Sequence, residues 1–172
     1  MEDAAYAVRL ARPEDLPAIT EIYNEAILTT DATFDTEPKT LEEQRRWFEG
    51  HDERHPIMVV EVAGRVVGWA SLSEWSDRRA YAATAEVSLY IRGEYRGRGL
   101  GRRLLAEVLR EGERRGFHTV LARITVGNDI SLRLHRQAGF EEVGVMREVG
   151  WKAGRWLDVL VMQKIYPGQA GT

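Results

Sequence analysis

Three stretches of this chain combine residue types that do chemistry. The first is Arg96-Gly97-Arg98-Gly99-Leu100-Gly101, followed by Arg102 and a leucine-rich run. A helix N-terminus leaves its first amides without partners and carries roughly half a positive charge. Glycines strip away the side chains that would keep a ligand off those amides, and Arg96, Arg98 and Arg102 supply charge that complements a phosphate. Read alone, the loop also fits a flexible turn whose arginines stay solvated. It lacks the lysine-serine ending of a nucleotide triphosphate loop and the spacing of a dinucleotide fingerprint. The second is Glu86, a carboxylate on the strand just upstream of that loop, suited to general base work or to a plain salt bridge. The third is Asn128, Ser131 and His135, spaced three and four apart and so sharing one helical face, which we place near the start of its helix. A lone helical histidine serves either as an acid or as structure.

The surrounding pattern must position these groups. "YAVRLA" alternates as a strand, and "RPEDLPAITEIYNEAI" has helical spacing through Leu16, Ile19, Ile22, Tyr23, Ala26 and Ile27. Thr40 ahead of Glu43 opens a second helix that closes at Gly50. The polar link between them, "TTDATFDTEP", carries Phe34, read from the residues as a plug for the core. "PIMVVEVAGRVVGWASLSEW" reads as a hairpin turning at Ala63-Gly64. "TAEVSLYI" is the next strand, with Val87, Leu89 and Ile91 on one face and Glu86, Ser88 and Tyr90 on the other. The glycine and arginine loop follows directly, and Leu100, Leu104, Leu105, Val108 and Leu109 then form an apolar helical stripe ending in the glycines at 112 and 116. "HTVLARITV" is a strand, Asn128 caps the helix "NDISLRLHRQAG", and two strands close the chain around "KAG". Trp151 and Trp156 flank that turn, as sheet packing or as a dimer seam. The tail "YPGQAGT" is expected to fray. The sum is α/β in class (α+β): one mixed sheet with helices on both faces, in a single domain over 1–172 with its core at about 6–165.

Composition narrows the functions. The chain has 172 residues, 44% hydrophobic and 30% charged, with a net charge of -3. That balance suits an ordinary globule and argues against a protein that coats nucleic acid. With no cysteine, disulfides, thiolate metal sites and cysteine nucleophiles are excluded. "HDERH" at 51–55 has a zinc-like spacing but lies among charges and reads as a solvated loop, so no metal is expected. No apolar run is long enough to span a membrane, and the expected location is cytoplasmic.

At "RGRGLG", 96–101, the chain resembles the GCN5-related N-acetyltransferases, whose pyrophosphate loop reads Q/R-x-x-G-x-G/A. More narrowly, "ATFDTEPKT", "RRAYAATAEVSLYI" and "NDISLRLHRQAGF" with "GWKAGRWLDVLVMQ" resemble the phosphinothricin and methionine sulfoximine acetyltransferases, over about Tyr6 to Lys164. The resemblance implies the fold of that superfamily, with a mostly antiparallel central sheet. It implies acetyl-CoA as cosubstrate, no metal, and transfer to the α-amine of a small amino acid or analogue in a ternary complex. Acetylation of a protein N-terminus or another amine, and non-catalytic acetyl-CoA binding, are the alternatives.

By the same resemblance, the loop 96–102 binds the diphosphate of acetyl-CoA. Leu89, Tyr90 and Ile91 pair by backbone with its pantetheine arm, the Leu89 amide faces the developing oxyanion, and Asn128 and Ser131 lie near that arm. Glu86 becomes the general base. Partial burial would have to lift it toward neutrality from the ordinary glutamate value of about 4.3. His135 stands where many superfamily members carry a tyrosine acid, although the phosphinothricin-type enzymes also have histidine. Phe34, Arg78 and Tyr81 fall at substrate positions, with Arg78 suited to gripping a carboxylate. The chain departs from some sulfoximine-type members in having Ser76 where they have arginine, which leaves substrate identity open. A homodimer is implied because the family commonly forms one.

Overall fold

The computed structural model describes residues 5–168. Its elements are β1 (Tyr6–Leu10), α1 (Leu16–Thr29), α2 (Leu41–Glu49), β2 (Ile57–Val62), β3 (Arg65–Glu74), β4 (Thr84–Ile91), α3 (Leu100–Arg114), β5 (Thr119–Thr125), α4 (Asp129–Gln137), β6 (Glu141–Lys152) and β7 (Arg155–Ile165). The seven strands form one sheet in the order β1-β2-β3-β4-β5-β7-β6. Every neighbouring pair is antiparallel except β4 and β5. The expected mixed, mostly antiparallel sheet is therefore what forms.

Alternation along the strands sorts side chains between two apolar layers. One layer packs Leu104, Leu105 and Val108 of α3 on Val67, Leu72, Val87 and Val120; the other packs Ile19 and Ile22 of α1 on Val59, Val66 and Trp69. The parallel step from β4 to β5 needs a crossover, and α3 supplies it, with the glycine and arginine loop at its entrance.

The β4–β5 ladder is short. It pairs Thr84 with Thr119, Ala85 with Val120 and Glu86 with Leu121, and then stops. On its other side β4 stays paired with β3 as far as Ile91. Residues 87–91 therefore offer one backbone edge that β5 does not use, and Glu86 marks where the two strands part.

Several expectations need correction. Gly112 does not end α3 but lies buried within it. A Cβ there would stand 2.5 Å from Leu72 and 2.8 Å from the Tyr166 hydroxyl, so the glycine permits close packing of helix on sheet. Tyr166, assigned to a frayed tail, is 3% exposed and donates its hydroxyl to the Leu109 carbonyl at 2.6 Å; residues 169–172 of that tail lie outside the described residues. In the "HDERH" loop Asp52 and Glu53 are exposed, as expected of a solvated loop, but the two histidines pack inward. His51 bridges the Trp47 carbonyl (2.7 Å) and Ser73 Oγ (2.9 Å), and His55 packs on Phe117 and bonds Asp52.

Candidate active site

The loop between β4 and α3 is held at its base by α1. Glu25 accepts from the Gly93 amide at 2.6 Å and lies 3.7 Å from Arg96, while Arg92, buried, bonds Glu21 and the Val66 carbonyl. Beyond that anchor, Gly97 and Gly99 have φ of +76° and +78°, a region that disfavours any side chain. Nothing lies within 4 Å of where a Cβ would be at either position, so both glycines border open space. Gly99 is also the N-cap of α3 and gives the helix no side-chain cap. The first amides of α3 thus face outward with the positive end of the helix behind them. Arg96 and Arg98 remain exposed, their guanidinium groups resting on the Ile91 and Glu94 carbonyls, and Arg98 also lies over the Tyr95 ring. Arg102 is exposed in the first turn, and Leu100 is buried beneath it.

The free edge of β4 leads from this loop to Glu86. The side chains of Leu89 and Ile91 come within 4 Å of the Cβ position at Gly101, beside Leu134 of α4. Those of Ser88 and Tyr90 face the other layer, where they line a cleft of about 400 Å³ with Tyr23, Asp35, Trp47 and Trp69. Tyr90 stacks among Tyr23 and Trp69, and burial pushes its hydroxyl up to about 12. The side chain is thus part of the packing, and only the backbone of Tyr90 lies on the free edge. An anion cradle, an open strand edge and an adjoining cleft fit a ligand with a diphosphate and a long amide-bearing arm. Acetyl-CoA has that chemistry.

Glu86 is a mostly enclosed carboxylate, 19% exposed, and it is not alone. Arg123 of β5 reaches across the point where the strands part and grips it side-on, with Nε on one carboxylate oxygen and Nη2 on the other at 2.8 Å. The Arg123 side chain is 53% exposed, and its guanidinium lies over the Trp75 ring, 5.6 Å from its centroid. The sequence reading left Arg123 unremarked, and the salt-bridged alternative raised there for Glu86 is what the fold contains. The signal was available. Arg123 is an arginine alternating with buried Ala122 and Ile124 on a strand parallel to that of Glu86, but strand order cannot be read from one sequence.

On α4, the Asn128 side chain caps the helix by accepting from the Ser131 amide at 3.2 Å. His135 belongs to the last turn of α4, not to its beginning. It is 5% exposed, bonds the Ser131 carbonyl through Nδ1 at 2.7 Å, and meets Phe140 edge to face. Burial holds its pKa below the ordinary imidazole value, so it stays neutral at pH 7.

The expected acceptor residues divide. Phe34 sits on β6: a Cβ at Gly150 would come within 2.2 Å of its ring. Its loop is pinned by Lys152, whose buried ammonium donates to the Thr30 (3.0 Å) and Thr33 (2.7 Å) carbonyls, and by Thr125, which donates to the Asp31 carbonyl. Arg78 and Tyr81 lie instead on the exposed turn before β4. Among the described residues no hydrogen bond or ion pair links either to Glu86. No group of three or more histidine or acidic side chains among the described residues is arranged to hold a metal.

Comparison with known proteins places this geometry. The model of the Acetyltransferase (GNAT) family matches residues 17–140. The L-methionine sulfoximine/L-methionine sulfone acetyltransferase of Pseudomonas paraeruginosa is 40% identical over 91% of this chain and 92% of its own. The phosphinothricin N-acetyltransferase of Alcaligenes faecalis is 38% identical over 93% of this chain and 82% of its own. Among solved structures, a GNAT superfamily phosphinothricin acetyltransferase from Sinorhizobium meliloti in complex with acetyl-CoA superposes with a TM-score of 0.92 at 36% identity, over 97% of this chain and 92% of that one. A ribosomal-protein-alanine N-acetyltransferase from Brucella melitensis gives 0.91 at 41% identity, over 93% and 99%. With its open β4 edge ending at a glycine and arginine cradle, the chain belongs to the acetyltransferase (GNAT) family, in the branch of the methionine sulfoximine and phosphinothricin acetyltransferases.

Proposed function

We propose that the protein transfers the acetyl group of acetyl-CoA to the α-amine of a small amino acid or analogue, with methionine sulfoximine and phosphinothricin as the first acceptors to test. The observation that carries this reading is the unpaired β4 edge running from the anion cradle to Glu86. The loop 96–102 and the first turn of α3 hold the diphosphate, Leu89, Tyr90 and Ile91 bind the pantetheine arm by backbone, and Asn128 and Ser131 close the site from α4. Phe34 and Tyr81 bound the acceptor, and Arg78 adds positive charge at the rim.

The amine attacks the thioester carbonyl carbon while the Leu89 amide stabilises charge on its oxygen. As the C–N bond forms, Glu86 takes the amine proton, directly or through water, and the C–S bond then breaks. The departing thiolate needs a proton. His135 is the candidate relay: with its Nδ1–H held on the Ser131 carbonyl, the neutral ring has a lone pair at Nε2 that takes up, through water, the proton Glu86 has removed from the amine and passes it to the sulfur. The whole reaction runs within one domain, and its dependence on acetyl-CoA supports a cytoplasmic location.

A second reading is favoured by the Brucella melitensis structure, whose name assigns it to ribosomal-protein alanine. An acceptor panel separates the two. Release of coenzyme A with methionine sulfoximine or phosphinothricin, and little with a peptide beginning in alanine, supports the amino-acid reading; the reverse order overturns it.

We also propose a homodimer through β6. This edge strand exposes Val143, Val145, Val149 and Trp151 beside Trp156 of β7. An exposed, apolar edge strand needs a cover, and a second copy provides one.

A further inference from the structure

We infer that Arg123 is the receptor for the acceptor's α-carboxylate, and that it releases Glu86 as it takes that carboxylate. The inference rests on the amino-acid reading above and moves the carboxylate contact from Arg78 to Arg123.

The argument begins with the grip itself. Arg123 presents Nε and Nη2 to the two oxygens of Glu86, the side-on fork that fits any carboxylate. The two partners differ in freedom. Glu86 is 19% exposed and is the last β4 residue paired with β5, whereas the Arg123 side chain is 53% exposed and its guanidinium lies over Trp75 at the mouth of the strand gap. An incoming carboxylate can therefore draw the guanidinium outward without moving Glu86. Half-exposed ion pairs are weak, so exchanging one carboxylate for another is nearly balanced. Arg78, by contrast, sits on an exposed turn whose recorded bond is from its backbone to Ser76.

The geometry of the ligand completes the argument. In an α-amino acid the amine and the carboxylate share one carbon, so a carboxylate seated on Arg123 brings its amine beside the Glu86 oxygens just vacated. The base is then freed by the substrate it serves. An amine without a neighbouring carboxylate leaves Glu86 paired and unavailable.

The test is a ratio. The wild-type protein, Arg123→Gln, Arg123→Lys and Arg78→Gln are assayed with methionine sulfoximine and with its primary amide, which lacks the negative charge. Charge-assisted hydrogen bonds of this kind correspond to roughly 10- to 100-fold in kcat/KM. The wild type is expected to favour the acid by about that factor, and Arg123→Gln to lose most of the preference while its KM for acetyl-CoA is unchanged. Arg123→Lys, which keeps the charge and loses the fork, is expected to fall between, and Arg78→Gln to lower the ratio far less than Arg123→Gln does. A wild-type preference that survives in Arg123→Gln, or collapses in Arg78→Gln, overturns the inference, as does a wild type that uses acid and amide equally. If Arg123→Gln does not fold, an unchanged ratio in Arg123→Lys is equally decisive. A wild type inactive with every amino acid but active on peptides overturns the amino-acid reading itself and this inference with it.

Discussion

A carboxylate gripped through both oxygens by a guanidinium is less accessible to an amine than a free one. In the free protein Glu86 is in the held state. Replacing it with glutamine keeps the size of the side chain and removes its basicity. Glu86→Gln is expected to lower kcat by about 100-fold or more, within the range usual for a lost general base, while calorimetry finds acetyl-CoA affinity unchanged. His51 and His135 lead to a different prediction, since burial lowers both pKa values. The unfolded chain takes up protons near the ordinary value of about 6.5, where the native state does not. Their contribution to stability is therefore complete above that pH and is lost as pH falls through the lowered native values. Thermal melting should show Tm falling as pH drops below about 6.5, with a shallower decline in His135→Gln. A flat Tm below that pH contradicts the assignment. At this scale the sequence named Glu86 and His135 but not Arg123, because the contact between Glu86 and Arg123 spans two strands that are far apart in the chain.

Elements deliver these groups through a few close approaches. The Phe34 loop is fixed by Lys152 below and by the bare backbone of Gly150 beside it. Gly150→Ala would place a Cβ 2.2 Å from the Phe34 ring, and the ring must move. The expected outcome is a KM for the amino-acid acceptor raised several-fold or more with the KM for acetyl-CoA unchanged, measured by steady-state kinetics; unchanged acceptor KM contradicts a role for Phe34 in the acceptor site. Most elements were legible from periodicity and turn chemistry. Ala63-Gly64 turns the β2–β3 hairpin, Thr40 and Glu43 form the capping box of α2, and Asn128 caps α4. Gly112 misled because a glycine that ends a helix and one that lets a helix lie close to a sheet look identical in sequence. Which of the two it is depends on Leu72, forty residues earlier, and on Tyr166.

For the whole molecule, the strand order sets both the site and the exposed edge. Parting β4 from β5 frees the β4 edge at residues 87–91, and leaving β6 outermost exposes its valines and Trp151. Analytical ultracentrifugation is expected to find a dimer that Val145→Lys converts to monomer; a wild-type monomer at micromolar concentration contradicts the proposed seam. Neither the early end of the β4–β5 ladder nor the nine consecutive exposed residues from Glu141 to Val149 could be read from alternation, because bulges in β6 break its register. The central claim, that the free β4 edge and the 96–102 loop hold acetyl-CoA, is tested most directly by calorimetric titration of the purified protein with that thioester. Saturable binding of one molecule per chain, with a Kd of roughly 1 μM to 1 mM, is the result predicted. An absence of saturable heat up to millimolar acetyl-CoA would contradict it.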